Sequence, residues 1–131
     1  MKKTILIIDD SEDDVLLTKM VLSKIGQDIR AESAPSGEAG LTMLRDGRPI
    51  PALILLDMKM TGMSGLEVLR LIREDPGLGH IPVMMVTHSE LESDRAASLA
   101  AGANGFFHKA IDMDEFRKDM ERILERWLGR Q

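Results

Sequence analysis

Asp9, Asp10 and Asp57, the hydroxyl of Thr87 and the ammonium of Lys109 all follow directly on short apolar runs. Ile5-Leu6-Ile7-Ile8 runs into Asp9-Asp10, and Leu53-Ile54-Leu55-Leu56 into Asp57. Val83-Met84-Met85-Val86 runs into Thr87, and Asn104-Gly105-Phe106-Phe107-His108 into Lys109. If the runs are parallel strands of one sheet, their carboxyl ends bring these groups to one edge, where open α/β sheets place ligands. Three carboxylates held together repel unless a cation sits among them. A hard ion such as Mg²⁺ takes oxygen ligands and keeps several waters. Asp10 and Asp57 can each supply one oxygen, with Asp9 holding a coordinated water or a third ligand position. A carboxylate at a strand end can also attack phosphorus and form an acyl phosphate. Lys109 would then pair with one phosphoryl oxygen and Thr87 donate to another. Phosphoryl transfer is chiefly positioning and charge neutralisation, and this short set supplies both.

The elements that must position these groups alternate along the chain. Strands are predicted near Thr4–Asp9, Ile29–Ser33, Ala52–Asp57, Pro82–Thr87 and Asn104–His108. The first, third and fourth are almost continuously aliphatic, as strands covered on both faces must be. The second alternates and belongs nearer an edge. Between them, Ser11 caps a helix through about Ile25, Ser36 precedes Gly37–Arg45 and Ser64 precedes Gly65–Arg73. Ser89 or its neighbours start a fourth helix ending at Gly102, and Asp112 caps the last. On that last helix Phe116, Met120, Ile123 and Trp127 form one stripe, read as the core face. Alternating βα units imply right-handed crossovers and a parallel sheet with helices on both sides. The fold class is α/β, a flavodoxin-like doubly wound five-stranded parallel sheet in the order 2-1-3-4-5 with five helices.

Composition closes several other routes. A length of 131 residues fits a single domain, residues 1–131. A net charge of -5 with no basic stripe argues against a nucleic-acid partner. One Trp, three Phe and no Tyr leave little for stacking on bases. Cysteine is absent, which excludes disulfides and thiol catalysis. Met1-Lys2-Lys3 and four aliphatics resemble the start of a signal peptide, but Asp9-Asp10 interrupts too soon. No apolar run approaches membrane-spanning length, so no membrane partner and a cytoplasmic location are expected. His80, His88 and His108 lack paired metal spacing, against zinc. The first strand is not followed by a glycine-rich cradle for a nucleotide or flavin.

The set of Asp9-Asp10, Asp57, Thr87 and Lys109, each at a predicted strand end, resembles the receiver domains of two-component response regulators. Asp57-Met58-Lys59-Met60-Thr61-Gly62-Met63-Ser64-Gly65 and Gly102-Ala103-Asn104-Gly105-Phe106 fit the same pattern. The resemblance covers essentially the whole chain. It implies a stand-alone response regulator in which Asp57 accepts a phosphoryl group from a histidine kinase or phosphotransfer protein, with Mg²⁺ as cofactor. Asp9, Asp10, Asp57 and the backbone carbonyl of Lys59 would be the metal environment, and Thr87 and Lys109 would read the phosphate. Thr87 and Phe106 would form the switch, while Lys59 and Ser89 hold positions that tune phosphate lifetime. The expected output is a changed face of the fourth helix, fifth strand and fifth helix, read by a downstream protein target. A monomer or weak homodimer is expected, and a signalling protein rather than an enzyme, with slow self-dephosphorylation at most.

Some residues depart from that pattern. Thr61 replaces a common proline, which predicts a looser loop after Asp57. Ala110 replaces the proline that commonly follows the lysine through a cis bond; a cis bond without proline costs about 3–4 kcal/mol. His88 replaces a small residue and is expected to crowd the inward position of Phe106. Three alternatives stay open: a receiver-like interaction scaffold with a weakened phosphorylation switch, a metal-dependent phosphohydrolase using Asp57, and a flavodoxin-like cofactor carrier. The second is disfavoured by Lys59 standing where such enzymes place an acid. The third is disfavoured by the acidic first loop and the shortage of aromatics.

Overall fold

Each apolar run becomes a strand, and each strand pairs in parallel. The computed structural model describes residues 2–26, 28–109 and 112–129. Its strands are β1 (Lys3–Ile8), β2 (Ile29–Ala34), β3 (Leu53–Asp57), β4 (Val83–Thr87) and β5 (Gly105–His108). They alternate with helices α1 (Glu12–Ile25), α2 (Gly37–Arg45), α3 (Gly65–Glu74), α4 (Glu92–Ala100) and α5 (Met113–Leu128). The sheet order is β2-β1-β3-β4-β5, as the alternation predicts. Ile8 lies beside Leu56, Asp57 beside Val86 and Thr87 beside His108. The exits of β1, β3, β4 and β5 therefore share one edge.

Period-two alternation divides the core into two layers. Ile5, Ile7, Leu53, Leu55, Met84, Val86 and Phe107 pack with α1 and α5. Leu6, Ile8, Ile54, Leu56, Val83 and Met85 pack with α2 and α3. β3 and β4 are buried along their whole length, whereas β2 is a half-buried edge strand. Among the described residues, no helix is long and apolar enough to cross a membrane.

Four caps form as expected. The side chains of Ser11, Ser36 and Ser64 accept from the backbone N–H of Asp14, Ala39 and Glu67, and Asp112 accepts from Asp114 and Glu115. The start of α4 differs: Leu91 takes the cap position without a side-chain hydrogen bond. The Ser89 hydroxyl instead accepts from Leu91 N and donates to Asp94, closing a turn that ends before the helix begins. On α5 the expected stripe is half right. Phe116 and Met120 are buried, but the line continues through Leu124 and Leu128, leaving Ile123 and Trp127 on its margin. Steps of four drift slowly round a helix, and that line follows the twisted sheet beneath it.

Candidate functional site

Asp9 follows β1 and Asp57 ends the neighbouring central strand β3, so both acids emerge at the same edge of the sheet. An oxygen from each of Asp9, Asp10 and Asp57 lies within 4.8 Å of the others. Asp9 and Asp57 are buried, while Asp10 faces out. Backbone donors hold Asp9 and Asp10. Ser11 N donates to Asp9 Oδ1 at 2.9 Å, and Thr61 N donates to Asp10 Oδ2 at 2.9 Å. The second bond corrects the expectation of a looser loop at Thr61. A proline there has no N–H, so the residue that departs from the pattern is what ties the loop to Asp10.

Lys109 is only 6% exposed, and its ammonium answers the acids. Nζ donates to Asp9 Oδ2 at 2.7 Å and to Asp14 Oδ2 at 2.8 Å. Asp57 Oδ1 stands further off, at 3.7 Å, an ion pair without a hydrogen bond. The backbone joins in, since Lys109 N donates to Thr87 O at 2.8 Å and clamps the β5 exit to that of β4. Burial lifts the Asp57 carboxyl, the charges of Asp9 and Asp10 add to that, and Lys109 and the Lys59 N–H only partly offset it; the result is about 6. Burial alone would lower the Lys109 ammonium, but its bonds to Asp14 and Asp9 and the charge of Asp57 raise it instead.

Thr87 is buried on the opposite face of the sheet edge from Lys109, as alternation from Val83 and Met85 requires. Its Oγ1 accepts from Ser89 N at 3.2 Å. Phe106 is half-buried and packs against the core layer of α2 and α3. His88 does not crowd it. The His88 ring is exposed, with Nε2 3.1 Å from Asp14 Oδ2, and so leans toward α1. Lys59 follows Asp57 in the loop, where its ammonium lies 3.5 Å from Asp94 Oδ2 on α4. The Ser89 hydroxyl bonds the same carboxylate, so the two expected lifetime-tuning side chains share one partner. The Lys109–Ala110 bond lies outside the described residues.

Two acids escaped the sequence reading. Asp14 lies in the first turn of α1 and Asp94 in the first turn of α4. The available signal for Asp14 was geometric: α1 and α5 cover the same face as the end of β5, which brings the first turn of α1 over Lys109. Each arrangement emerges only once the layers are assembled.

The pattern of residues and the geometry find their match in known proteins. The response regulator receiver domain family matches residues 5–121. The chain belongs to that family. Among curated relatives, the response regulator PleD of Caulobacter vibrioides is 37% identical over 112 residues, which are 86% of this chain and 24% of PleD. The chain thus spans about a quarter of that relative. The chemotaxis protein CheY of Pseudomonas aeruginosa is 36% identical over 95% of this chain and 98% of its own length. Among solved structures, the phosphorylated cyanobacterial phytochrome response regulator RcpA superposes with a TM-score of 0.90 at 27% identity, covering 98% of this chain and 96% of RcpA. The Mn(2+)-bound form of response regulator Rcp1 gives 0.86 at 32% identity, covering 96% and 94%. Receivers serve two-component signalling, and the oxygen-only donor set of Asp9, Asp10 and Asp57 suits a hard divalent cation at this edge.

Proposed function

We infer that this receiver takes a phosphoryl group on Asp57 from the phosphohistidine of a histidine kinase or phosphotransfer protein. The observation that carries the reading is the buried Asp57 carboxylate, within reach of two further acids and 3.7 Å from the Lys109 ammonium. An Asp57 oxygen forms the new O–P bond as the P–N bond of the donor breaks. The donor imidazole keeps the electron pair. Asp9, Asp10, Asp57 and the Lys59 carbonyl would hold Mg²⁺, which when bound offsets the charge of carboxylate and phosphoryl oxygens. Lys109 neutralises one phosphoryl oxygen and Thr87 gives its hydroxyl to another, leaving the Ser89 N–H. Phe106, on the same face as Thr87, follows that movement toward the core.

The domain is taken as residues 1–131, acting in the cytoplasm as a monomer or weak homodimer on a downstream protein target. The relative of matching length, CheY, supports that scale. A phosphohydrolase reading loses support because the charged group after Asp57 is Lys59, drawn off toward Asp94. Mass spectrometry after acetyl phosphate and Mg²⁺ tests the proposal on wild type and Asp57→Asn. One phosphoryl group on the wild type and none on the variant is expected; label that persists in Asp57→Asn overturns it.

A further inference from the structure

Lys109 has three acidic neighbours, and they are not equivalent. Asp9 and Asp57 belong to the trio whose oxygens converge for a cation; Asp14 does not. A divalent ion among Asp9, Asp10 and Asp57 would therefore draw on two of the three groups that hold the ammonium, while repelling the ammonium itself. Asp14 remains wholly available to it. Its Oδ2 already accepts from Lys109 Nζ at 2.8 Å, and the same oxygen lies 3.1 Å from His88 Nε2, so the carboxylate is steadied from the β4 side as well.

We propose that Asp14 is a positioning residue which keeps Lys109 inside the pocket when a divalent cation claims Asp9 and Asp57. The proposal rests on the receiver reading for its consequence, phosphoryl transfer, but not for its geometry. Although burial pushes the Asp14 carboxyl upward, its bonds and charge pairing with Lys109 and His88 outweigh that and hold it lowered, so it stays ionised as an anchor must. The contact joins the first turn of α1 to the end of β5. Asp14 does not touch the reacting atoms; it acts through Lys109.

Two readouts test this. The first is the reactivity of the Lys109 amine toward acetic anhydride, quantified by peptide mass spectrometry with and without Mg²⁺. In the wild type the lysine is protected under both conditions. In Asp14→Asn it is protected without Mg²⁺ and becomes about tenfold more reactive with it, a coupling of ordinary size for contacting residues. Asp14→Glu, which keeps the carboxylate, restores protection. Equal protection of wild type and Asp14→Asn in Mg²⁺ overturns the proposal.

The second readout is the labelling rate with acetyl phosphate, counting only label that Asp57→Asn abolishes. Anchoring predicts that Asp14→Asn slows labelling about tenfold, and that the slowing disappears in a Lys109→Met background. If Asp14 acts merely as a negative charge repelling the phosphoryl donor, Asp14→Asn accelerates labelling in both backgrounds, and the proposal fails. Thermal melts without Mg²⁺ confirm that each variant is folded. Absence of any Asp57 label would overturn the receiver chemistry alone, because the amine footprint needs no phosphoryl transfer.

Discussion

Asp57→Asn should make the protein more stable at neutral pH, and the gain should fade in acid. The carboxyl rises from an ordinary 3.8 to about 6 on folding, because burial and the charges of Asp9 and Asp10 disfavour its ionised form. A group whose value is raised in the folded state binds protons more tightly there than in the unfolded chain. Its contribution is fully present below the unfolded value and is lost as pH climbs through the folded one. At about 1.4 kcal/mol per tenfold in proton affinity, ionised Asp57 costs the fold about 3 kcal/mol at pH 7.5. The same linkage leaves about 1 kcal/mol at pH 4.5. Water at the open sheet edge reduces both figures, so a gain of about 1–3 kcal/mol is expected at pH 7.5.

Asparagine keeps the shape of the side chain and removes its charge, and Lys109 retains its hydrogen bonds to Asp9 and Asp14. Urea melts of wild type and Asp57→Asn, free of divalent ions at the two pH values, read the difference directly. The midpoint of the variant should exceed that of the wild type at pH 7.5, and the gap should shrink by more than half at pH 4.5. Millimolar Mg²⁺ should narrow it from the other side, since a ligand that binds only the folded state stabilises the wild type. A gap unchanged with pH, or a less stable Asp57→Asn at pH 7.5, would refute the idea that repulsion and burial strain this carboxylate.

The backbone beneath Asp57 is equally open to test. A Cβ at Gly65 would come within 2.2 Å of the Asp57 carbonyl oxygen and 2.8 Å of Met58 Cα, so Gly65→Ala must push α3 off the β3 exit. A loss of at least about 2 kcal/mol in chemical denaturation is expected, with labelling at Asp57 reduced; a variant as stable as wild type would contradict it. At the far end of the sheet, the Arg73 guanidinium donates to Gly102 O, Ile81 O and Asn104 Oδ1 at 2.9, 2.7 and 2.8 Å. Arg73→Ala strands those carbonyls and should cost about 2–4 kcal/mol, measured by thermal melting, while leaving the Asp57 label intact.

The inner strands β1, β3 and β4 were legible because they are covered on both faces and form nearly unbroken apolar runs until they end. Asp9, Asp57 and Thr87 stand out for that reason alone, each the first polar side chain after a run such as Leu53–Leu56. Serine caps marked α1, α2 and α3 because each hydroxyl meets an N–H three residues on, a purely local event. What failed was non-local. Thr61 has the wrong type for its loop but bonds Asp10, and His88 turns to Asp14, 74 residues earlier in the chain. Each outcome depends on a partner brought near by the crossovers, and no window of sequence contains both members.

The same contrast of local and assembled structure explains how one small edge can be both rigid and responsive. The acids hang from β1 and β3, whose apolar side chains are buried in both layers. Thr87 closes the pocket from the end of the fully buried β4, and Lys109 from the end of β5, where β5 and α4 are lighter. β5 buries only Phe107 within its span, and α4 buries only Ser98 along its own. Few buried apolar contacts mean a low cost of local rearrangement. The edge that carries the acids is therefore fixed by the core, as is Thr87 at the end of β4, while β5 and α4 rest on lighter packing. Polar ties cross between the two sides, among them Lys109 with Asp9, Asp14 and Asp57, and Lys59 with Asp94. On the proposed receiver chemistry, an ammonium that exchanged one carboxylate for a phosphoryl oxygen without leaving the pocket would pass a charge added at Asp57 through these ties toward α4 and β5.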